Sequence, residues 1–408
     1  MILHQAVAVA QTAITGLNSN DVIVTAWQDV QYVRLAKEVD FFDDADLELP
    51  LLEEAELRTQ TRDFTLTDQQ YTARFQFNSL RQRKLQRSVN AYERSMRIAA
   101  QEEALEVLLY ERYHLVVEYV LLEKEQAFLQ QQQATLAEQM RYAAQQVSQY
   151  GDDATDDWLK LQDDELQLRL RTEDLAHRRA QLQRKLNGYL PNAAADFTAN
   201  QVLTAESLAA IGLQLADTLP VPSRISRQAL EVGLAQTETE AEQAANRQLL
   251  EFLQVRYRGD RDPTFPARVS IGAAMRLPLR NENSIDEQYL RLEELEEENQ
   301  LDELIDEYAD NYRLAQANLR QALDDYQFAL AEKASYETTF GPTVLQQKGV
   351  QNLRTIFIAK AGVEQRQALA LKREATLYRS YLEVLRVAGC LAVQPYHNWL
   401  TDAPLARF

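Results

Sequence analysis

Apolar residues recur between Arg81 and Tyr150, frequently at gaps of three, four and seven: Ile98, Leu105, Leu108, Leu109, Leu115, Val116, Tyr119, Val120, Leu129, Leu136, Met140, Ala143 and Val147. This is the signature of an amphipathic helix. The run contains no glycine and no proline. At 1.5 Å per residue it predicts a rod of roughly 100 Å. Such a rod cannot be the private element of a compact domain, so it requires long helical neighbours, as in a coiled coil or bundle. The run breaks at Gly151, Asp152 and Asp153. A return helix is predicted over 155–187, with Thr155 as its cap. Asp156 and Asp157 lie in its first turn, where carboxylates favour the helix dipole. "NGYLPNAAADF" ends it with Gly188 and Pro191.

The second half follows the same plan. "DTLPVPSR" is a break, and a helix is predicted over 223–250. Ser284 to Phe340 is again free of glycine and proline and predicts a second rod, about 85 Å long. "FGPTVLQQKGV" interrupts it, and a last helix is predicted over 350–387. The second tip lies within 341–349. Two positions stay open for it, the Gly341-Pro342 pair and Gly349.

Two segments change period. Ala55, Leu57, Thr59 and Thr61 alternate with Glu56, Arg58, Gln60 and Arg62, and Tyr71, Ala73, Phe75 and Phe77 alternate with Thr72, Arg74 and Gln76. Later, Leu253, Val255 and Tyr257 alternate with Gln254, Arg256 and Arg258. Val269, Ile271, Ala273, Met275 and Leu277 alternate with Arg268, Ser270, Gly272, Ala274 and Arg276. Period-two alternation predicts strands, hence β-hairpins at about 53–78 and 251–279. Leu57 and Val255, Tyr71 and Val269, and Gly151 and Gly349 are each 198 residues apart. Several features agreeing on one offset predict a structural duplication. The first repeat is 1–198 and the second 199–408.

The fold class predicted is mainly α with a small β part: duplicated long α-helical hairpins plus two β-hairpins. Composition sharpens this only a little. Hydrophobic content is 46% and charged content 26%, as expected of a folded chain. A net charge of −19 argues against unaided nucleic-acid binding, which needs clustered Lys and Arg. One cysteine, Cys390, excludes an internal disulfide, and His4, His114, His177 and His397 show no metal-binding spacing. "DDATDD" lacks the glycine and terminal glutamate of an EF-hand loop. No nucleophile with a base, no phosphate loop and no metal cluster is evident, so neither an enzyme nor a cofactor is expected. No stretch approaches the ~20 apolar residues of a transmembrane helix, and the start of this sequence does not read as a signal peptide.

Each half reads helix, strand, strand, very long helix, turn, return helix. That order, duplicated, resembles the outer-membrane efflux family typified by TolC. "AVAVAQTAITGLNSNDVIVTAWQDV" and "PSRISRQALEVGLAQTETEAEQAANRQLL" resemble the family's two opening helices. The segment from "YAAQQVSQYGDDATDD" to "KLNGYL" is similar to its tip and return helix, and "YLEVLRVAGCL" to its C-terminal close. The resemblance implies a homotrimer in which each chain gives four strands to one β-barrel in the outer membrane, while the helices form a coiled-coil tunnel through the periplasm. It implies a passive conduit gated at the periplasmic helix tips, part of a tripartite efflux or type I secretion system. The implied partners are a periplasmic adaptor protein, an inner-membrane transporter and outer-membrane lipid. The alternative reading is a soluble or peripheral coiled-coil scaffold that keeps the helical plan without a barrel. The crowding of Glu53, Glu54 and Glu56 at the first hairpin favours it.

On the channel reading three groups of residues matter. The tip and gate candidates are Gly151, Asp152, Asp153, Asp156, Asp157, Lys348, Gly349 and Arg354, with ion pairs between acidic and basic tips holding the entrance shut. Arg58, Arg62, Arg74, Arg256, Arg258, Arg268 and Arg276 fall on the polar faces of the strands and are candidates for the barrel lumen. Leu57, Tyr71, Phe75, Phe77, Val255, Tyr257, Val269, Ile271, Met275 and Leu277 fall on the apolar faces and are candidates for the lipid side.

Overall fold

The computed structural model of the chain describes residues 18–45, 47–61, 69–150, 155–190, 202–215, 220–246, 250–258, 269–275, 284–401 and 403–405. Long helices dominate. α1 (Ser19–Val24) leads through a single 3-10 turn to α2 (Val30–Asp44). β1 (Leu52–Thr61) and β2 (Gln69–Phe77) precede α3 (Leu80–Tyr150), which spans 71 residues. α4 (Thr155–Tyr189), α5 (Ala205–Gln214) and α6 (Ser223–Asn246) follow. The second half holds β3 (Leu250–Arg258), β4 (Val269–Met275), α7 (Ser284–Phe340), α8 (Pro342–Gln347) and α9 (Leu353–Val387), and ends in the short pair β5 (His397–Asn398) and β6 (Ala403–Pro404). The strong periodic runs thus appear as long helices and the alternating runs as strands. The short helices α2 and α5 were not singled out from the sequence, because each has too few turns to set up a long periodicity.

The halves match in detail. α4 and α9 both have 35 residues, and their first and last residues are each 198 apart. β1 and β3 start with the same separation. Both strands carry a register irregularity at the same place, between Leu52 and Glu54 and between Leu250 and Phe252.

By compactness the chain divides into two units. The first comprises Met1–Tyr32, Ala104–Pro220 and Tyr308–Phe408. Its core is built by the inward stripe of α3, with Leu105, Leu109, Tyr113, Val116 and Val120 at helical spacing. Ile23, Leu208, Leu319, Leu377, Tyr381 and Leu385 pack against that stripe. A second cluster sets Leu122, Leu129 and Leu136 of α3 against Leu168 and Leu175 of α4. A strict seven-residue step on both helices keeps one seam in register and gives a coiled-coil contact.

The tail is sewn into this core. Asn398 is fully buried; its amide donates to Ser19 Oγ at 3.0 Å and to Asn20 Oδ1, and its Oδ1 accepts from the Leu400 N–H at 3.0 Å. The buried Tyr113 hydroxyl donates to the His397 carbonyl at 2.9 Å and accepts from the Trp399 N–H at 3.2 Å. Arg112, only 1% exposed, pairs with Asp29 at 2.9 Å and lies over the Tyr189 ring, 3.3 Å from its centroid. These bonds satisfy polar groups that would be expensive to bury alone.

The second unit comprises Val33–Glu103 and Val221–Glu307 and contains the four-stranded sheet. Arg94 of α3 forms a two-pronged pair with Asp43 of α2, at 2.6 and 3.2 Å. Arg227 of α6 reaches Glu103 of α3 at 2.9 Å.

Candidate functional site

The sheet is a meander in the order β1-β2-β3-β4, antiparallel throughout. Its register sorts the side chains into two faces. Leu57, Ala73, Val255 and Ile271 form one row across all four strands, with Thr59, Tyr71, Tyr257 and Val269 beside it. Ala55, Phe75, Leu253 and Ala273 form a third row, and Phe77 and Met275 extend the same face. The opposite face carries the rows Glu56, Arg74, Gln254, Gly272 and Arg58, Thr72, Arg256, Ser270. Gln60, Gln70 and Arg258 continue it.

No described side chain in the four long strands is buried. Leu57 is 72% exposed, Ile271 79% and Met275 63%. An ordinary soluble sheet buries one face against a helix or a second sheet. Here a row of large apolar side chains is left open. β1 and β4 also lack a second neighbour among the described residues, so each leaves a line of backbone donors and acceptors for another strand.

On the polar face, Arg58 pairs with Glu56 at 2.6 Å. The Arg74 guanidinium stacks on Phe252, 3.7 Å from the ring centroid. The sequence reading missed Phe252. It sits beside the irregularity at the start of β3 and interrupts the alternation there; the apolar pair Phe252-Leu253 was the only signal. Arg62, Arg268, Arg276 and Leu277 lie outside the described residues.

The tips are the second group. Gly151, Asp152 and Asp153 lie outside the described residues. α3 ends at Tyr150, and α4 starts at Thr155 with Asp156 and Asp157 in its first turn. In the second half α7 ends at Phe340. Gly341 caps α8, and Pro342 takes the first helical position, where its missing N–H is not needed. Lys348 ends α8, and Gly349 turns the chain with φ +83, a left-handed conformation that glycine adopts without steric cost. Asn352 then caps α9 by accepting from the Arg354 N–H at 3.0 Å. The two breaks left open from the sequence are therefore the two ends of one short connection.

The structure joins Asp157 and Arg354 of the same chain at 3.0 Å. Lys348 Nζ lies 3.5 Å from the Thr339 carbonyl oxygen. Further along the helices, Lys360 of α9 reaches Glu138 of α3 at 2.7 Å, and this hydrogen bond holds the Glu138 carboxyl below its usual range. Tyr142 packs on Phe357 with ring centroids 5.7 Å apart. Burial pushes the Glu364 carboxyl up. A groove of about 1080 Å³ runs between α3, α4 and α9. It is crossed by the pairs Arg178–Glu125 and Arg379–Glu118, both 2.8 Å. Among the described residues, no group of three or more His, Cys, Asp or Glu is placed to hold a metal ion, and no helix is long and apolar enough to cross a membrane.

The architecture is TolC-like. Solved structures of channel proteins share it over nearly the whole chain. CusC, in a study of its transmembrane channel formation, matches at a TM-score of 0.65 over 92% of this chain and 92% of its own, with 14% identity. The Campylobacter jejuni CmeC outer membrane channel matches at 0.59 over 91% of this chain and 85% of its own, with 12% identity. The Neisseria gonorrhoeae MtrE outer membrane channel, in its open state, matches at 0.58 over 95% and 90%, with 13% identity. No protein-family model and no curated protein matches the chain. What is shared with these channels is the fold.

Proposed function

We propose that the chain is the subunit of a homotrimeric outer-membrane channel, a passive conduit for export. One observation carries this reading: a four-stranded antiparallel meander in which no described side chain is buried on either face, with an edge strand at each end that lacks a second neighbour among the described residues. Such a sheet is incomplete alone. Its strand number is even, so β4 of one copy and β1 of the next run antiparallel and continue the same ladder. Three copies close a barrel of about twelve strands, within the range of membrane barrels. Closure removes every edge, the condition for placing strands in lipid. The face of Leu57, Tyr71, Phe75, Phe77, Val255, Tyr257, Val269, Ile271 and Met275 then meets lipid, and the arginine face meets the lumen. The long helices form the tunnel wall.

In this reading Asp157 and Arg354 latch the two hairpin tips together and hold the entrance narrow. A periplasmic adaptor protein, linked to an inner-membrane transporter, engages the tips and competes for that pair. The two halves, 1–198 and 199–408, descend from one duplicated unit. The paired lengths of α4 and α9 and the matched irregularities of β1 and β3 support that descent.

The test is membrane fractionation of the protein expressed from its native locus. Recovery in the outer membrane as a trimer that needs detergent is the expected result. Recovery as a soluble protein overturns the channel and leaves a coiled-coil scaffold.

A further inference from the structure

We propose that the arginine face of the sheet is an anion-recognising lining that favours small anionic solutes. This rests on the barrel reading above and assigns a cargo class to it. The observation is a local reversal of charge. The whole chain carries −19. Yet the paired positions of the sheet's polar face carry Arg58, Arg74, Arg256 and Arg258 and, among the described residues in the ladder, the acids Glu54 and Glu56.

The register places the groups for a purpose that solubility alone does not need. Arg58, Thr72, Arg256 and Ser270 form one continuous row, two guanidiniums alternating with two hydroxyls. All four carry groups that can donate to an oxyanion, and of the two guanidiniums Arg58 already gives its Nε–H to Glu56. Arg256 Nε is shielded from solvent and has no hydrogen-bond partner among the described residues. A shielded guanidinium N–H without an acceptor is costly, and an anion in the row supplies one. Arg258 lies one step along the same face, and the Arg74 guanidinium rests on the Phe252 ring. Closure repeats the row around the lumen, where low-dielectric walls focus the field of like charges on the pore. Rings of arginine of this kind pass anions in preference to cations.

The experiment uses the full-length trimer in planar bilayers, with a cysteine at Thr72, in the middle of the row. Cys390, the native cysteine, is buried and does not compete. Labelling of Thr72→Cys is timed with an anionic and with a cationic methanethiosulfonate of similar size, each normalised to a small free thiol. The expected result is a several-fold preference for the anionic reagent. That preference falls to near one in Arg58→Gln/Arg256→Gln, with a parallel shift of the reversal potential in a salt gradient toward cation preference. If Thr72→Cys does not assemble, Ser270→Cys reads the same row. A conducting channel in which the arginine changes alter neither ratio nor reversal potential overturns the anion assignment and leaves the barrel standing. Absence of conductance together with absence of a detergent-stable trimer overturns the barrel itself.

Discussion

Arg112 shows how single side chains hold this chain in shape. Its guanidinium is buried, yet every side of it has a use: Asp29 at 2.9 Å, Thr25 Oγ1 at 3.2 Å and the Tyr189 ring beneath. Arg112→Ala removes the cation and leaves a hole under Tyr189. It should cost roughly 3 kcal/mol, read as a fall in the chemical-denaturation midpoint. Glu238 acts in the opposite sense. Burial, then the nearby carboxylates of Glu293 and Glu93, push its carboxyl up. A carboxyl whose folded pKa lies above its unfolded value stabilises fully below the unfolded value, about 4.3, and loses that contribution as pH rises through the folded one. At neutral pH, then, Glu238 is a penalty. Glu238→Gln should raise the melting temperature at pH 7 and leave it nearly unchanged at pH 4. An equal shift at both pH values would rule out the charge as the cause. None of this was visible beforehand: a helical period marks Glu238 as a position on α6 but does not say which carboxylates face it.

Among the elements, legibility followed the length of the pattern. α3 and α7 were plain, because many turns repeat one apolar stripe. The strands were plain because alternation has a period of its own. Alternation also put Leu57 and Ile271 on apolar faces, but it could not say that they stand in one row, since register belongs to the pairing and not to either strand. The second tip was ambiguous for a similar reason. Gly341 and Gly349 are both breaks, and only the six-residue α8 between them explains why there are two. The tip pair Asp157–Arg354 is exposed, 46% and 67% at the two side chains, so it contributes at most about 1 kcal/mol in water. Asp157→Asn should therefore leave the melting temperature within a degree or two. On the gate reading it should raise the open fraction in single-channel records, most clearly at low salt, where the pair is least screened. Closed times identical to wild type at every ionic strength would remove the pair from the gate.

For the whole molecule, the sheet makes the sharpest demand. Neighbours in sequence lie on opposite faces, so Ser270 and Ile271 should respond differently to the same change. Ile271→Arg places a charge against lipid, costs about 2–4 kcal/mol near the bilayer midplane, and should abolish the detergent-stable trimer. Ser270→Arg adds one more guanidinium to the lumen and should assemble. The readout is the trimer band on gels under mild denaturation; equal tolerance of both changes would contradict a lipid-facing Ile271. One chain's sequence spells out two faces and two edges. It does not spell out what lies across them, because that information is divided among copies.

Asn398, hydrogen-bonded to Ser19 and Asn20, also bears on the order of folding. These bonds to the start of the first described helix cannot form until residues almost 380 positions later have been made. Contacts of such sequence separation form late. The last polar partners of α1 therefore come from the far end of the sequence. A nascent chain stopped before Asn398 should leave α1 open to protease, and adding the missing segment as a separate peptide should close it.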